Sequence, residues 1–366
     1  MKNILFYSPY MGYTGSEMMI KYLVSYSKHI NPIILSGEKG ALLSEISENV
    51  PVYVYANASK WKYRYGKMAK KIALPDLSEI QFKDIFKKHQ IDLIVVNTIV
   101  ADKIVPLLKK YTVPFVLYSH ELPPMYDLVK KEDLDFLINN SMGIIGCSKQ
   151  VCENLKLMGG KNVYLFYEGI DISCVKTSME IEKKIRSKNF SYIFAMSGQR
   201  AFHKGYHLVP EIAVYLKKHN TALAWLGSPS DYGMNYFIQK TIDILSLDNI
   251  LLPGLLKKEE YYSWLNASDA FLLTSLVDPY PLVMLEAAYL QKPIIAFNSG
   301  GVSEFVKEGM GKVVPYYSLG SFLDSIEDFM ENKIVVDKEM LKKEAILHDI
   351  SKRTEEFENI LLQFLS

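Results

Sequence analysis

Thirteen short runs of apolar, β-branched and aromatic residues are spread over the whole chain, and longer amphipathic stretches of helical period alternate with them. In the first half the runs are Asn3–Tyr7, Ile33–Ser36, Val52–Tyr55, Leu93–Val96, Phe115–Tyr118, Gly143–Ile145 and Val163–Phe166. In the second half they are Tyr192–Met196, Ala222–Leu226, Ile250–Leu252, Ala270–Leu273, Pro293–Ala296 and Lys312–Pro315. Apolar runs of this length suit strands covered on both faces, and their alternation with helices predicts an α/β protein with parallel sheets.

A chain of 366 residues has room for two or three domains. Residues 4–23 read as strand, glycine turn (Gly12, Gly15) and helix, and residues 192–216 repeat that order with Gly198 and Gly205 in the turn. This echo predicts two doubly wound domains, each with a ligand edge at the carboxyl ends of its strands. The polar stretch carrying Lys176, Glu180, Glu182, Lys183, Lys184 and Lys188 places the linker near 170–190. The boundaries expected are 1–172 and 173–350. Phe357, Ile360, Leu361, Phe364 and Leu365 then mark one apolar face of a terminal helix from about 351 to 366, which must pack on something.

Composition removes several classes. A 49% hydrophobic and 23% charged chain is neither disordered nor collagen-like. With 42 basic against 41 acidic residues, no global field points to a polyanion, although residues 1–172 carry 21 basic and 17 acidic side chains, a net +4. Cys147, Cys152 and Cys174 form an odd set without a Cys-x-x-Cys pair, which suggests neither zinc nor disulfides and fits reduced thiols in a cytoplasmic protein. Ile4–Tyr7 is too short for a signal-peptide core, and no segment approaches the ~18 apolar residues of a membrane span. A soluble protein, at most bound to a membrane surface, is expected.

The stretch Asp278-Pro-Tyr-Pro-Leu-Val-Met-Leu-Glu286 follows one of the strand-like runs and opens a helix. Pro281 suits the first helical turn, and free amides around Leu282 and Val283 would suit a phosphate. Glu286, about one turn further in, could grip a vicinal diol; a plain acidic helix start accounts for it equally well. A second cluster, Gly198-Gln-Arg-Ala-Phe-His-Lys204-Gly205, combines glycines for close backbone approach with the cations Arg200 and Lys204. Taken alone it also reads as an ordinary βα turn. Gly-x-Gly-x-x-Gly and the Walker A pattern are both absent, which counts against a dinucleotide-binding dehydrogenase and a P-loop enzyme.

Residues 268–306, Ser-Asp-Ala…Thr-Ser-Leu-Val-Asp-Pro-Tyr-Pro-Leu-Val-Met-Leu-Glu-Ala-Ala…Lys-Pro-Ile-Ile-Ala…Gly-Gly-Val-Ser-Glu-Phe-Val, resemble the donor-site signature of glycosyltransferase family four. Those are retaining, nucleotide-sugar-dependent enzymes of GT-B fold. The likeness extends in order through Thr14-Gly15-Ser16-Glu17, Ser119-His120-Glu121, Glu168-Gly169-Ile170-Asp171, Gly198…Lys204-Gly205 and Pro253-Gly254-Leu255. It implies an α/β protein of two doubly wound, Rossmann-like domains facing across a cleft, the first for the acceptor and the second for the nucleotide-sugar, with the terminal helix packed back on the first. Glu286 would bind the ribose and Asp278 the hydroxyls of the donor sugar. Arg200 and Lys204 would hold the diphosphate, the Leu282 and Val283 amides would assist, and the backbone near Gly254 and Leu255 would meet the base. Gly15 would let the acceptor-side loop approach the phosphates, and His120 would sit beside the transferred sugar.

Three positions depart from the family pattern. Gln199 stands where arginine is usual and Arg200 follows it; Asp278 is one methylene shorter than the usual glutamate; Glu168 replaces the commoner asparagine. Asp133-Leu-Asp135 is the single Asp-x-Asp, in a stretch that reads as a solvated acidic helix, and His203 with His207 lacks a third ligand, so no metal and no bound cofactor are expected. Residues 60–71 hold six basic side chains and no acid, with Lys60, Lys62, Arg64 and Lys67 interleaved with Trp61, Tyr63 and Tyr65. This composition suits an anionic membrane surface, single-stranded nucleic acid or a solvated loop, and the resemblance favours the membrane. The resulting expectation is a metal-independent retaining transferase, moving a sugar from a UDP- or GDP-sugar to a glycan or lipid-linked acceptor in surface polysaccharide synthesis. An inert GT-B partner subunit and a non-hydrolysing sugar-nucleotide epimerase are the alternatives; nucleic acid is not an expected partner.

Overall fold

The computed structural model describes residues 1–55, 77–101 and 103–365. Lys60, Trp61, Lys62, Arg64 and Lys67 lie outside the described residues. All thirteen apolar runs form strands, in two parallel sheets. The first holds β1 (Lys2–Ser8), β2 (Ile30–Ser36), β3 (Val52–Val54), β4 (Leu93–Asn97), β5 (Phe115–Ser119), β6 (Ile144–Gly146) and β7 (Val163–Leu165), in the order β3-β2-β1-β4-β5-β6-β7. The second holds β8 (Tyr192–Ser197), β9 (Thr221–Leu226), β10 (Ile250–Gly254), β11 (Ala270–Leu273), β12 (Ile294–Phe297) and β13 (Gly311–Val314), in the order β10-β9-β8-β11-β12-β13.

In each sheet the chain winds outward and then returns to the far side of its first strand. β1 therefore lies beside β4, with Ile4 opposite Leu93, and β8 lies beside β11, with Phe194 opposite Ala270. That reversal opens a crevice at the carboxyl ends of the two neighbouring strands. Central strands are fully enclosed: Ile4, Leu5, Phe6, Tyr7 and Leu93–Val96 are buried in the first sheet, and Phe194, Ala195, Leu223 and Phe271 in the second. Enclosure on both faces explains why these strands are apolar without alternation.

Two compact units contain the sheets. One comprises Met1–Cys147, Val151–Phe166 and Ser351–Ser366; the other comprises Ser148–Gln150 and Tyr167–Ile350. The polar stretch read as a linker is structured within the second unit. Its helix Met179–Arg186 buries Ile185, Arg186 forms a two-point ion pair with Asp269 at 2.8 and 2.9 Å, and Asn266 donates to Glu182 at 2.9 Å. The charges that resemble a linker are the solvated outer face of a docked helix. Residues 167–172 also join this unit, because Ile170 bridges to Asp349 and the His348 carbonyl crowds the place where a side chain on Gly169 would sit.

The helix Ile350–Gln363 lays its apolar face on the first sheet from Ser351 onward. The Phe357 ring stands 6.5 Å from Phe6, 5.1 Å from Tyr118 and 5.0 Å from Phe166. Beside it the buried Glu358 carboxylate accepts from the backbone amides of Lys28 and His29, at 2.9 and 3.2 Å. Burying a Phe ring this completely stabilises by roughly 1.5–3 kcal/mol. Among the described residues, no helix is long and apolar enough to cross a membrane.

Candidate active site

Most of the candidate residues gather at the carboxyl edge of the second sheet. β8 ends at Ser197, and the chain turns through Gly198 and Gly205, both with positive φ (127° and 78°). A side chain on Gly205 would strike the Thr274 carbonyl, so only glycine closes this turn. Arg200 is buried, its amide donating to the Ser228 carbonyl at 3.0 Å and its guanidinium 5.9 Å from the Tyr206 ring centre. Among the described residues, its Nε has no hydrogen-bond partner and the guanidinium has no carboxylate partner. A buried cation without a carboxylate beside it has capacity for an anionic partner.

Lys204 sits four residues on, its stem running along the Gly198 backbone. Its Nζ lies 2.7 Å from Asp278 Oδ2, and Ser275 Oγ donates to the same oxygen at 2.9 Å. The sequence assigns Lys204 and Asp278 to different parts of a ligand; the fold pairs them with each other. Asp278 is itself buried, its amide donating to the Ser299 carbonyl at 2.9 Å. Oδ1 makes no hydrogen bond among the described residues and is the oxygen left for a hydroxyl.

Pro281 stands just outside the helix Leu282–Tyr289 as its cap rather than within the first turn. Leu282 and Val283 are the first two helical residues, whose amides precede any intrahelical acceptor. Glu286 lies one turn in, partly buried. Tyr261 OH donates to its Oε2 at 2.8 Å and Tyr262 OH to its Oε1 at 3.0 Å, both from the helix Lys258–Ala267. Burial pushes the Glu286 carboxyl above its ordinary range, opposed by the two tyrosine hydrogen bonds and the nearby Lys258 charge. Gly254 closes β10 with φ 84° and open space where a side chain would stand, and the adjacent Leu255 is 74% exposed.

The other two candidates belong to the first unit. Gly15 opens the helix Gly15–Tyr26 and has open space beside it. In that helix's first turn Glu17 accepts from Thr14 Oγ1, and burial raises its carboxyl, with His120 opposing and Glu121 adding to the shift. His120 Nε2 lies 2.7 Å from Asn97 Oδ1, and its ring is 4.0 Å from that of Tyr118. Glu121 is buried and accepts from Thr98 Oγ1, the Ile99 amide at 3.4 Å, Ser119 Oγ at 3.0 Å and the His120 amide at 2.9 Å. Asp133 of the Asp-x-Asp lies in the helix Lys131–Asn140, paired with Lys109 at 2.7 Å. His207 stacks on Phe202 at 4.4 Å.

Sequence reasoning missed Ser197, Tyr261, Tyr262 and Ser275, as well as Asn97 and Thr98. None is itself a glycine or a charged residue, and each reaches its site through the fold.

Residues 177–348 match the family model described as glycosyl transferases group 1. Over 176 residues the chain is 25% identical to a D-inositol 3-phosphate glycosyltransferase of Paenarthrobacter aurescens (strain TC1), a match spanning 45% of this chain and 42% of that relative. Among solved structures, Anabaena Alr3699/HepE in complex with UDP and glucose is similar with a TM-score of 0.79 at 19% identity, over 99% of this chain and 100% of that one. WaaG, a glycosyltransferase involved in lipopolysaccharide biosynthesis, is similar with a TM-score of 0.73 at 12% identity, over 98% and 99%. At these identities the structural likeness is one of fold.

Proposed function

We propose, on the match of residues 177–348 to the family model of glycosyl transferases group 1 and on the GT-B class of fold, a metal-independent, retaining transferase that uses a nucleotide-sugar, UDP-linked in the first instance. The observation that carries the reading is the buried Arg200 guanidinium, without an anionic partner among the described residues, on the same turn as Lys204. Two cations and the Leu282 and Val283 amides meet the charge that grows on a leaving diphosphate, the part a divalent cation plays elsewhere. Glu286 takes the ribose diol, Asp278 Oδ1 a hydroxyl of the sugar, and the backbone at Gly254 and Leu255 the base. From the first unit, Gly15 and His120 are assigned to the phosphate-side loop and the transferred sugar.

In the step itself, the bond from the anomeric carbon to the diphosphate oxygen breaks and the acceptor oxygen bonds the same face of that carbon. The acceptor's hydroxyl proton passes to the departing phosphate, so no protein base is required. UDP in the complexes of HepE supports the choice of carrier, and the part of WaaG in lipopolysaccharide biosynthesis supports a glycan or lipid-linked acceptor of surface polysaccharide type. Contact with an anionic membrane surface, proposed from the composition of residues 60–71, is tested by vesicle binding after neutralising Lys60, Lys62, Arg64 and Lys67.

Calorimetric titration with UDP-, GDP-, ADP- and CMP-sugars, with EDTA present, tests the donor site. Micromolar binding of one nucleotide class is the expected result, and absence of binding across the panel overturns the reading. The anomeric configuration of the product by NMR then tests retention.

A further inference from the structure

We infer that Tyr261 and Tyr262 are positioning residues that hold Glu286 as an oriented carboxylate for the 2′,3′-diol of a ribonucleoside diphosphate, and thereby set discrimination against 2′-deoxyribonucleotides. The inference rests on the donor-site reading above and adds two residues to it.

Neighbouring residues on a helix point about 100° apart and rarely serve one partner. Tyr261 and Tyr262 do, approaching the two oxygens of Glu286 from two directions, with their rings 5.2 Å apart and 67° inclined. Tyr262 is 3% exposed and fixed by the core of its helix. Tyr261 is tied a second time, its hydroxyl 3.0 Å from Ser197 Oγ at the end of β8. The carboxylate is thus clamped between the helix Lys258–Ala267 and the sheet edge from which the phosphate turn departs.

An ionised carboxylate has about four lone-pair directions. Among the described residues the tyrosines fill one on each oxygen, so each oxygen keeps one for a ligand. Two adjacent acceptors on one planar group match two hydroxyls on adjacent carbons. Both phenols donate, which favours the charged form of the acid. Among the described residues, the charged and titratable groups acting on Glu286 are Tyr261, Tyr262 and Lys258, all from that one helix, and each acts in this direction, against the burial that favours the neutral acid.

The test measures binding of UDP, GDP and ADP, each against its 2′-deoxy counterpart, by calorimetry between about pH 5 and 8.5. The ratio of the two affinities cancels the titration of the diphosphate, which both ligands share. Wild type is expected to prefer the ribonucleotide about tenfold or more at the alkaline end, a charge-assisted hydrogen bond being lost in the deoxy ligand. That preference should fall as pH drops and Glu286 takes up a proton. In the Tyr261→Phe/Tyr262→Phe variant the fall should begin at higher pH, by about half a unit to one unit, and the alkaline preference should itself shrink because the carboxylate is no longer oriented. Glu286→Gln should show a small preference that does not vary with pH. If the double variant does not fold, Tyr261→Phe alone carries the same test, since its ring is only part-buried.

A preference profile in the tyrosine variants that superimposes on that of wild type overturns the inference and leaves the donor site standing. So does a wild type that binds the diphosphates without preferring ribose. A wild type that binds none of the diphosphates overturns the donor reading and this inference together.

Discussion

After β1 the chain passes through Gly15 into a helix, and after β8 it passes through Gly198 and Gly205 towards another, so the two sheet edges share a plan. Their chemistry differs. The edge of the first sheet carries Glu17, Asn97, His120 and Glu121, while that of the second carries Arg200, Lys204, Asp278 and Glu286. They also differ in how the backbone enters the left-handed region. At the second edge glycine takes it, with φ 127° at Gly198 and 78° at Gly205. At the first edge Thr98, a β-branched residue, is held at φ 80° while its hydroxyl and the following amide both donate to buried Glu121. Strain in a β-branched residue persists only where its surroundings over-determine it. A turn that packs bare backbone against its neighbours requires glycine, whereas the first edge keeps a side chain in the same region and restrains it with a carboxylate.

The comparison breaks first at Gly205. Gly205→Ala places a methyl group against the Thr274 carbonyl at positive φ, and should cost about 3 kcal/mol or more in urea unfolding. A cost below about 0.5 kcal/mol would mean the turn relaxes freely and glycine is not required there. Lys204→Ala comes next. It removes one cation and leaves the buried Asp278 carboxylate with Ser275 as its remaining hydrogen-bond donor, so diphosphate affinity should fall about 100-fold. Unchanged affinity by calorimetry would remove Lys204 from the anion site. Thr98→Gly should be nearly neutral, within about 1 kcal/mol, because relief of strain offsets the lost hydroxyl hydrogen bond and the added chain entropy. A loss as large as that of Gly205→Ala would show that Thr98 is not strained and would erase the contrast.

The strands were legible because a doubly enclosed strand has no polar face to disguise it, and runs such as Leu93–Val96 and Ala270–Leu273 admit few other readings. Arg200 and Lys204 were legible as cations because glycines bracket them. Their partners were not. Lys204 meets Asp278 across 74 residues, and Tyr261 meets Glu286 across 25, separations at which local pattern carries no information. Tyr261 and Tyr262 read as two aromatic residues of an amphipathic helix, and Thr98, two residues beyond the run Leu93–Val96 and itself β-branched, reads as more strand. The charged run 176–188 misled for a related reason: an amphipathic helix docked through Ile185 exposes the same residues as a solvated linker. Polar partners brought together by topology are visible only once the sheet order is known.

The smallest expected effect concerns Glu17, and it separates the two edges by pH. Burial raises the carboxyl of Glu17 at the first edge and that of Glu286 at the second. At Glu286 two phenols donate and a lysine stands near; at Glu17 a backbone amide, the Ser16 side chain and His120 oppose the shift, while Glu121 adds to it. A carboxyl whose pKa is raised on folding binds its proton more tightly in the folded form. Stability therefore falls as pH climbs from the ordinary value of 4.5 through the raised one. Glu17→Gln removes that titration, so the variant should gain stability relative to wild type at neutral pH, and the gain should vanish as pH falls below about 4.5. Urea midpoints of both proteins between about pH 4 and 8, followed by a probe in the first unit, measure the difference. Parallel pH profiles would show that Glu17 is solvated like a surface acid, and the contrast between the two buried carboxyls would be lost.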